Sequence, residues 1–202
     1  MARKKVTSND RARQVVAQEA ARIIVEQGIE DFRVAKVKAA ERLGMSDSGS
    51  LPRNAEIEAA VAEHLKLFGR ESHIDWLRLT RKAALAVMEM LAPFRPRLVG
   101  PVLHGTAATN ASINLHLFAD QSELVALKLR QQKIPFKPYE RRLKCRPNKA
   151  ETFGGYRFTY DDSPVEATVF PLKGIRQAPI SPIDGRPMQR VDVDALQDLL
   201  ND

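Results

Sequence analysis

A single cysteine, Cys145, stands among the 202 residues, and that scarcity excludes several designs at once. One thiol can form neither an internal disulfide framework nor a multi-thiolate zinc site. Histidine is nearly as sparse: His64, His73, His104 and His116 are scattered, with no pair at H-x-x-x-H spacing. No apolar run approaches the roughly 20 residues that a membrane span needs. The basic start, residues 1–5, leads into Val6-Thr7-Ser8-Asn9-Asp10 rather than an apolar core, so no signal peptide is expected. Aromatic residues make up only 6% of the chain, yet 44% hydrophobic residues in all can supply a core. The expectation is a soluble, cytoplasmic protein with no membrane partner.

What the chain has in excess is positive charge. Its net charge is +7 and its pI about 9.7, values that suit a polyanionic partner, since Lys and Arg gain affinity by displacing counterions from phosphates. The distribution is more informative than the sum. Nine cations fall between Lys128 and Lys149, opposed there only by Glu140. Lys137, Arg141, Arg142, Lys144 and Arg146 form the candidate basic patch, and the interleaved Phe136 and Tyr139 would suit stacking on RNA bases. The plainer reading is a solvated helix face and an exposed hairpin.

The first half reads as helical. Ala12, Val16, Ala20 and Ile23 recur at spacings of three and four after the capping residues Ser8-Asn9-Asp10, and Gly28 ends the run. Phe32, Ala35, Ala39 and Leu43 mark a second helix that Gly44 stops. Residues 46–52 form a loop. Asn54 then caps a third helix with Ile57, Val61, His64, Leu65 and Phe68 on one face. A fourth, over about 72–91, carries Ile74, Leu77, Ala84, Val87, Met88 and Leu91 as core, and Pro93 and Pro96 close it. The expected division is a region of about four helices over 1–94 and an α/β domain over 95–202. The helices either pack as a bundle or, through Lys36, Lys38 and Arg42, touch nucleic acid. The linker over 45–53 is longer than a helix-turn-helix uses, which favours the bundle.

After Pro96 the period changes. Residues 98–103 are a short apolar run, 105–110 a small-residue turn, and Ile113, Leu115 and Leu117 alternate with Asn114 and His116 as on a strand. An amphipathic helix comes next over 121–132, built on Leu124, Val125, Leu127 and Leu129. Strand-like segments lie at about 136–145, 155–160 and 165–170, then an irregular stretch rich in Pro and Gly, and a closing helix over 193–200. Arg176, Arg186 and Arg190 flank the loop Ser181-Pro182-Ile183-Asp184-Gly185-Arg186-Pro187-Met188 and could clamp an anion.

Residues 97–170 resemble a nucleotidyltransferase domain of the DNA polymerase β type. That family carries a strand, a Gly-Ser or Gly-Thr turn opening a helix, a strand reading Asp-hydrophobic-Asp, and a third carboxylate on a later strand. Here Val102-Leu103-His104-Gly105-Thr106 stands for the first strand and turn, Ser112-Ile113-Asn114-Leu115-His116-Leu117 for the second strand, and Glu166 for the third carboxylate. As a whole the chain is similar to a group of bacterial proteins in which a helical N-terminal region precedes such a domain. The resemblance implies an α+β fold, a mixed sheet of about four or five strands packed with helices. It also implies phosphate contacts from Gly105, Thr106, Ser112 and Asn114, where a tight turn lets backbone N–H groups approach phosphate oxygens.

The sequence departs from the family where metal would bind. Alternate strand residues share a face, so Asp-x-Asp presents two carboxylates to Mg or Mn. Here Asn114 and His116 hold those positions, leaving Glu166 as the one strong anionic ligand. Asp120 lies too near the strand end to replace them. The first expectation is a nucleotide- or RNA-phosphate-binding protein without the usual two-metal catalysis. The second is an active nucleotidyltransferase with a non-standard metal site, in which Glu166 and His116 act as ligands or catalytic groups. The third is a non-enzymatic protein docking on RNA or a ribonucleoprotein. Cys145 has no partner base nearby in sequence and is expected to be incidental.

Overall fold

A computed structural model describes residues 8–29, 31–45, 51–69, 71–109 and 111–201. The basic start, the cap expected from the Ser8 side chain, the loop residues 46–50 and Asn110 of the small-residue turn lie outside the described residues. The chain divides into two compact units, Met1–Arg70 and Glu71–Asp202.

The first unit holds helices α1 (Ser8–Gln27), α2 (Phe32–Arg42) and α3 (Asn54–Phe68). Val16, Ala20 and Ile23 of α1 bury against Ala35 and Ala39 of α2 and Ile57 and Val61 of α3. The small Ala side chains let α2 lie close to its neighbour. Asp31 caps α2 by accepting from the N–H groups of Arg33 and Val34, and the Glu56 carboxylate accepts from the Arg53 N–H at the start of α3. Arg53, not Asn54, is thus the capping position. Glu19, only 12% exposed at its side chain, joins α1 to α2 by pairing with Arg22 and Arg42, and these guanidinium groups, Arg22 foremost, lower its pKa. Phe68, expected in this core, is 69% exposed.

The second unit begins with α4 (Glu71–Met90), which the helical periodicity alone groups with the helices before it. Its inner face (Ala84, Val87, Met88) packs into the core of the sheet, and Leu91 just beyond its end joins them, so α4 belongs physically to the sheet-bearing unit. Ile74, near its start, is 64% exposed. Beyond α4 come β1 (Arg97–Val99), α5 (Pro101–His104), β2 (Ile113–Phe118), α6 (Glu123–Gln131), β3 (Phe136–Arg146), β4 (Lys149–Tyr160), β5 (Ser163–Phe170) and α7 (Val193–Asn201). The protein is α+β, and the five strands form a mixed sheet in the order β1-β2-β5-β4-β3. β2 and β5 run parallel, and the other neighbours are antiparallel. A two-residue turn at Asp161 and Asp162, both at positive φ, joins β4 to β5, as the twist of a tight hairpin demands.

The sheet has two unlike faces. Ile113, Leu115, Leu117, Val165, Ala167, Val169, Tyr156 and Phe158 meet α4, Val125 and Leu129 of α6 and Leu196 of α7 in a continuous apolar layer. Burying each such large side chain stabilises the fold by about 1.5–3 kcal/mol. The opposite face carries the polar residues, and the chain after β5 folds back along it. Ile180 donates its N–H to the carbonyl of Lys144 at one edge strand, and Val191 bridges Leu98 at the other.

One expected strand residue pair is helical. Val102 and Leu103 belong to α5, because Gly100 takes φ +78 and ends β1 and Pro101 suits the first position of a helix. Among the described residues no helix is long and apolar enough to cross a membrane.

Candidate functional site

Strand register builds the polar face in two rows. Val99, Asn114, Glu166, Arg157 and Lys137 are successive partners across all five strands, and Arg97, His116, Thr168, Gly155 and Tyr139 form the next row. Asn114, His116 and Glu166 therefore share one face, Asn114 directly beside Glu166. A third, aromatic row lies below: Phe170 is 4.6 Å from His116, 6.0 Å from Phe118 and 4.4 Å from Phe153 between ring centroids.

The side chains of these rows satisfy one another. Glu166, 15% exposed at its side chain, receives Arg157 Nε at 2.8 Å and lies 3.4 Å from Arg141 Nη1. Arg141 Nη1 also donates to Asn114 Oδ1 at 2.8 Å, while Asn114 Nδ2 donates to the Ser112 carbonyl. In the second row Tyr139 reaches over Gly155 to place its hydroxyl 2.6 Å from Thr168 Oγ1. Gly155 makes this possible, since a Cβ there would sit 2.7 Å from the Tyr139 ring and press on the Ala167 carbonyl oxygen. Burial raises the Tyr139 pKa, and Arg157 covers its ring at 4.7 Å. Tyr139 is therefore not the open stacking platform that its sequence setting suggested.

His116 is 2% exposed and neutral: burial first, then the charges of Arg190 and Arg141, push its pKa well down. Arg190 donates from Nε to His116 Nδ1 at 3.0 Å and from Nη1 to the Gly174 carbonyl at 2.9 Å. Its guanidinium lies 5.1 Å from the Phe118 and Phe170 rings. Burial, with Arg97 nearby, lowers its pKa to about 10, which leaves it charged at neutral pH.

At the end where β2, β3 and β5 begin, Ser112, Lys137, Arg157 and Glu166 line a groove of about 380 Å³, whose wall also includes Phe136 and Phe158 from the apolar side of the sheet. Ser112 thus lines the same groove as Lys137, Arg157 and Glu166 of the first row. Gly105 and Thr106 do something other than expected. Gly105, at φ +75, ends α5 rather than opening a helix, and its N–H and that of Thr106 both point to the Pro101 carbonyl. Those two amides are engaged by the chain itself. Arg81 of α4 secures the same helix end by donating to the carbonyls of Val102 and Leu103.

The basic patch divides as well. Lys137 and Arg141 alternate onto the polar face, whereas Arg142 and Lys144 point from the other side of β3, and Arg146 comes after a register shift at its end. Asp120 accepts from the Leu172 N–H and steadies the turn after β5. Thr168, Arg157 and the Arg190–His116 contact have no counterpart among the residues singled out by sequence. Period-two alternation marks Thr168 once β5 is aligned with β2, but no local signal announces that alignment.

The donor set does not fit Mg or Mn. Asn114 Oδ1 and His116 Nδ1 already accept from arginines, and Glu166 is flanked by two guanidinium groups. Hard divalent cations need several oxygen donors and negative surroundings. Among the described residues no three His, Cys, Asp or Glu side chains converge on one point. Compared with protein families, with curated proteins and with solved structures, the chain gives no match.

Proposed function

We propose that the second unit binds the phosphates of a nucleotide or of RNA in the groove at the start of β2, β3 and β5, without two-metal catalysis. One observation supports this above the rest: Glu166 is the single carboxylate of a row and its surroundings that hold Lys137, Arg141 and Arg157. A lone carboxylate held between two arginines organises a cationic surface without neutralising it. Arg157 is 58% exposed at its side chain and Lys137 is exposed, so both reach a ligand in the groove. Guanidinium groups pair with phosphate oxygens in a planar, two-pronged way that favours such ligands.

Fluorescence anisotropy with a labelled nucleotide and with a short RNA tests this reading. Binding should persist in EDTA, weaken with rising salt, and fall about tenfold or more when Lys137→Ala and Arg157→Ala are combined. Affinity unchanged in that variant would overturn the reading. Metal-dependent incorporation of labelled nucleotide, lost in Glu166→Ala, would instead establish the active enzyme, an alternative supported by the shared face of Asn114, His116 and Glu166.

A further inference from the structure

At the opposite end of the polar face, β3 finishes and the chain beyond β5 returns across it. Cys145, Arg146, Arg176, Gln177, Met188 and Arg190 line a second cavity there, of about 530 Å³. Among the described residues three arginines and no carboxylate line it, and Glu151, whose charge reaches Cys145 and Arg146, is already paired with Lys149 at 2.9 Å. Two nitrogens of Arg190 are committed to His116 and Gly174, but the third, Nη2, is buried without a hydrogen-bond partner among the described residues. A buried guanidinium N–H is costly to leave unpaired; Nη2 is closed off from solvent against the Phe118 and Phe170 rings, so what Arg190 gives the cavity as it stands is its uncompensated charge.

We propose that this cavity binds a small phosphorylated anion, held by Arg146, Arg176 and Arg190. Three guanidinium groups exceed what one carboxylate can satisfy. A phosphate or diphosphate brings a charge near −2 or more and at least three strong acceptor oxygens. The volume admits a small molecule. Inorganic pyrophosphate and the diphosphate of a nucleotide share this chemistry. The site uses none of the residues of the Ser112 groove and stands or falls independently of it.

The lone cysteine reports on this cavity and nothing else. Alkylation of Cys145 by iodoacetamide in the full chain, at constant ionic strength, is followed by mass spectrometry with pyrophosphate, with ADP or with an oligouridylate. Pyrophosphate at ten times its Kd should slow the reaction by about tenfold. That protection should disappear in Arg146→Ala/Arg176→Ala, whose fold is checked by circular dichroism, and in the milder Arg176→Gln. It should survive in Lys137→Ala/Arg157→Ala. Protection by pyrophosphate and ADP alike assigns the diphosphate as sufficient, and protection by ADP alone assigns the nucleotide as its source. No protection by either, protection that persists without Arg146 and Arg176, or protection by the oligouridylate only would overturn the proposal.

Discussion

Arg190 donates its Nε–H to Nδ1 of His116 over 3.0 Å, so a lasting cation rests against an imidazole that must stay neutral to accept the bond. The imidazole proton is then on Nε2. With its pKa pushed down in the folded protein, His116 takes up a proton more readily once unfolded. Stability from this group is complete above the unfolded value, about 6.5, and is lost as pH falls below it. The chemical-denaturation midpoint should therefore drop between pH 6.5 and 5. His116→Gln, which keeps an acceptor for Arg190, should flatten that slope by up to about 1.4 kcal/mol per pH unit. An unchanged slope in the variant would show that His116 does not titrate this way.

Tyr139 and Thr168 satisfy each other across the intervening strand, over the bare backbone of Gly155. Tyr139→Phe leaves a buried threonine hydroxyl without its partner and should cost about 1–3 kcal/mol. Tyr139→Phe combined with Thr168→Val should cost less than the two changes summed. Gly155→Ala should be worse than either single change, by about 3 kcal/mol or more, because its Cβ meets both a ring and a carbonyl oxygen. Urea denaturation of the four variants measures all of these.

Glu166→Gln separates binding from catalysis. If the groove is a phosphate site, removing the carboxylate frees Arg141 and Arg157 and should tighten nucleotide binding by about threefold to tenfold, against a like-charge penalty of about 1 kcal/mol. An enzyme that depends on this carboxylate would lose turnover instead. Anisotropy and labelled-nucleotide incorporation, run side by side, read the two outcomes.

Arg81 is far from the groove in role: it caps α5 by holding the carbonyls of Val102 and Leu103, and burial lowers its pKa. Arg81→Met should lower stability by about 1–3 kcal/mol, as expected for lost hydrogen bonds from a charged donor, and leave nucleotide affinity as it was. A thermal melt with a parallel binding curve decides it.

Much of the fold was legible in residue spacing, and the reasons differ by element. Helix positions α1 to α4 derive from apolar residues at intervals of three and four, and β2 from strict alternation at Ile113, Leu115 and Leu117. Gly100-Pro101 misleads a reading by pattern, since an apolar run looks like one strand until the glycine turns it into a helix. Phe68 and Ile74 fit their helical stripes and are still exposed, because a stripe can be wider than the surface that covers it. Asn114, His116 and Glu166 were visible as candidates by spacing. Their pairings were not: Arg157 meets Glu166 across a hairpin, 9 positions away, whereas Thr168 and Arg190 reach His116 through register and a returning loop, 52 and 74 positions away.

The parallel pairing of β2 with β5 has a consequence for how the chain assembles. β3, β4 and β5 succeed one another through two-residue turns and can zip as a local meander. β2 must wait for β5, some 50 residues later in the sequence, so its docking closes a long loop and carries most of that entropy. Asn114 meets Glu166, and His116 meets Thr168, only at that closing step. The meander by itself already carries Lys137, Arg141, Arg157 and Glu166, and the docking of β2 adds Asn114 and His116 to that face.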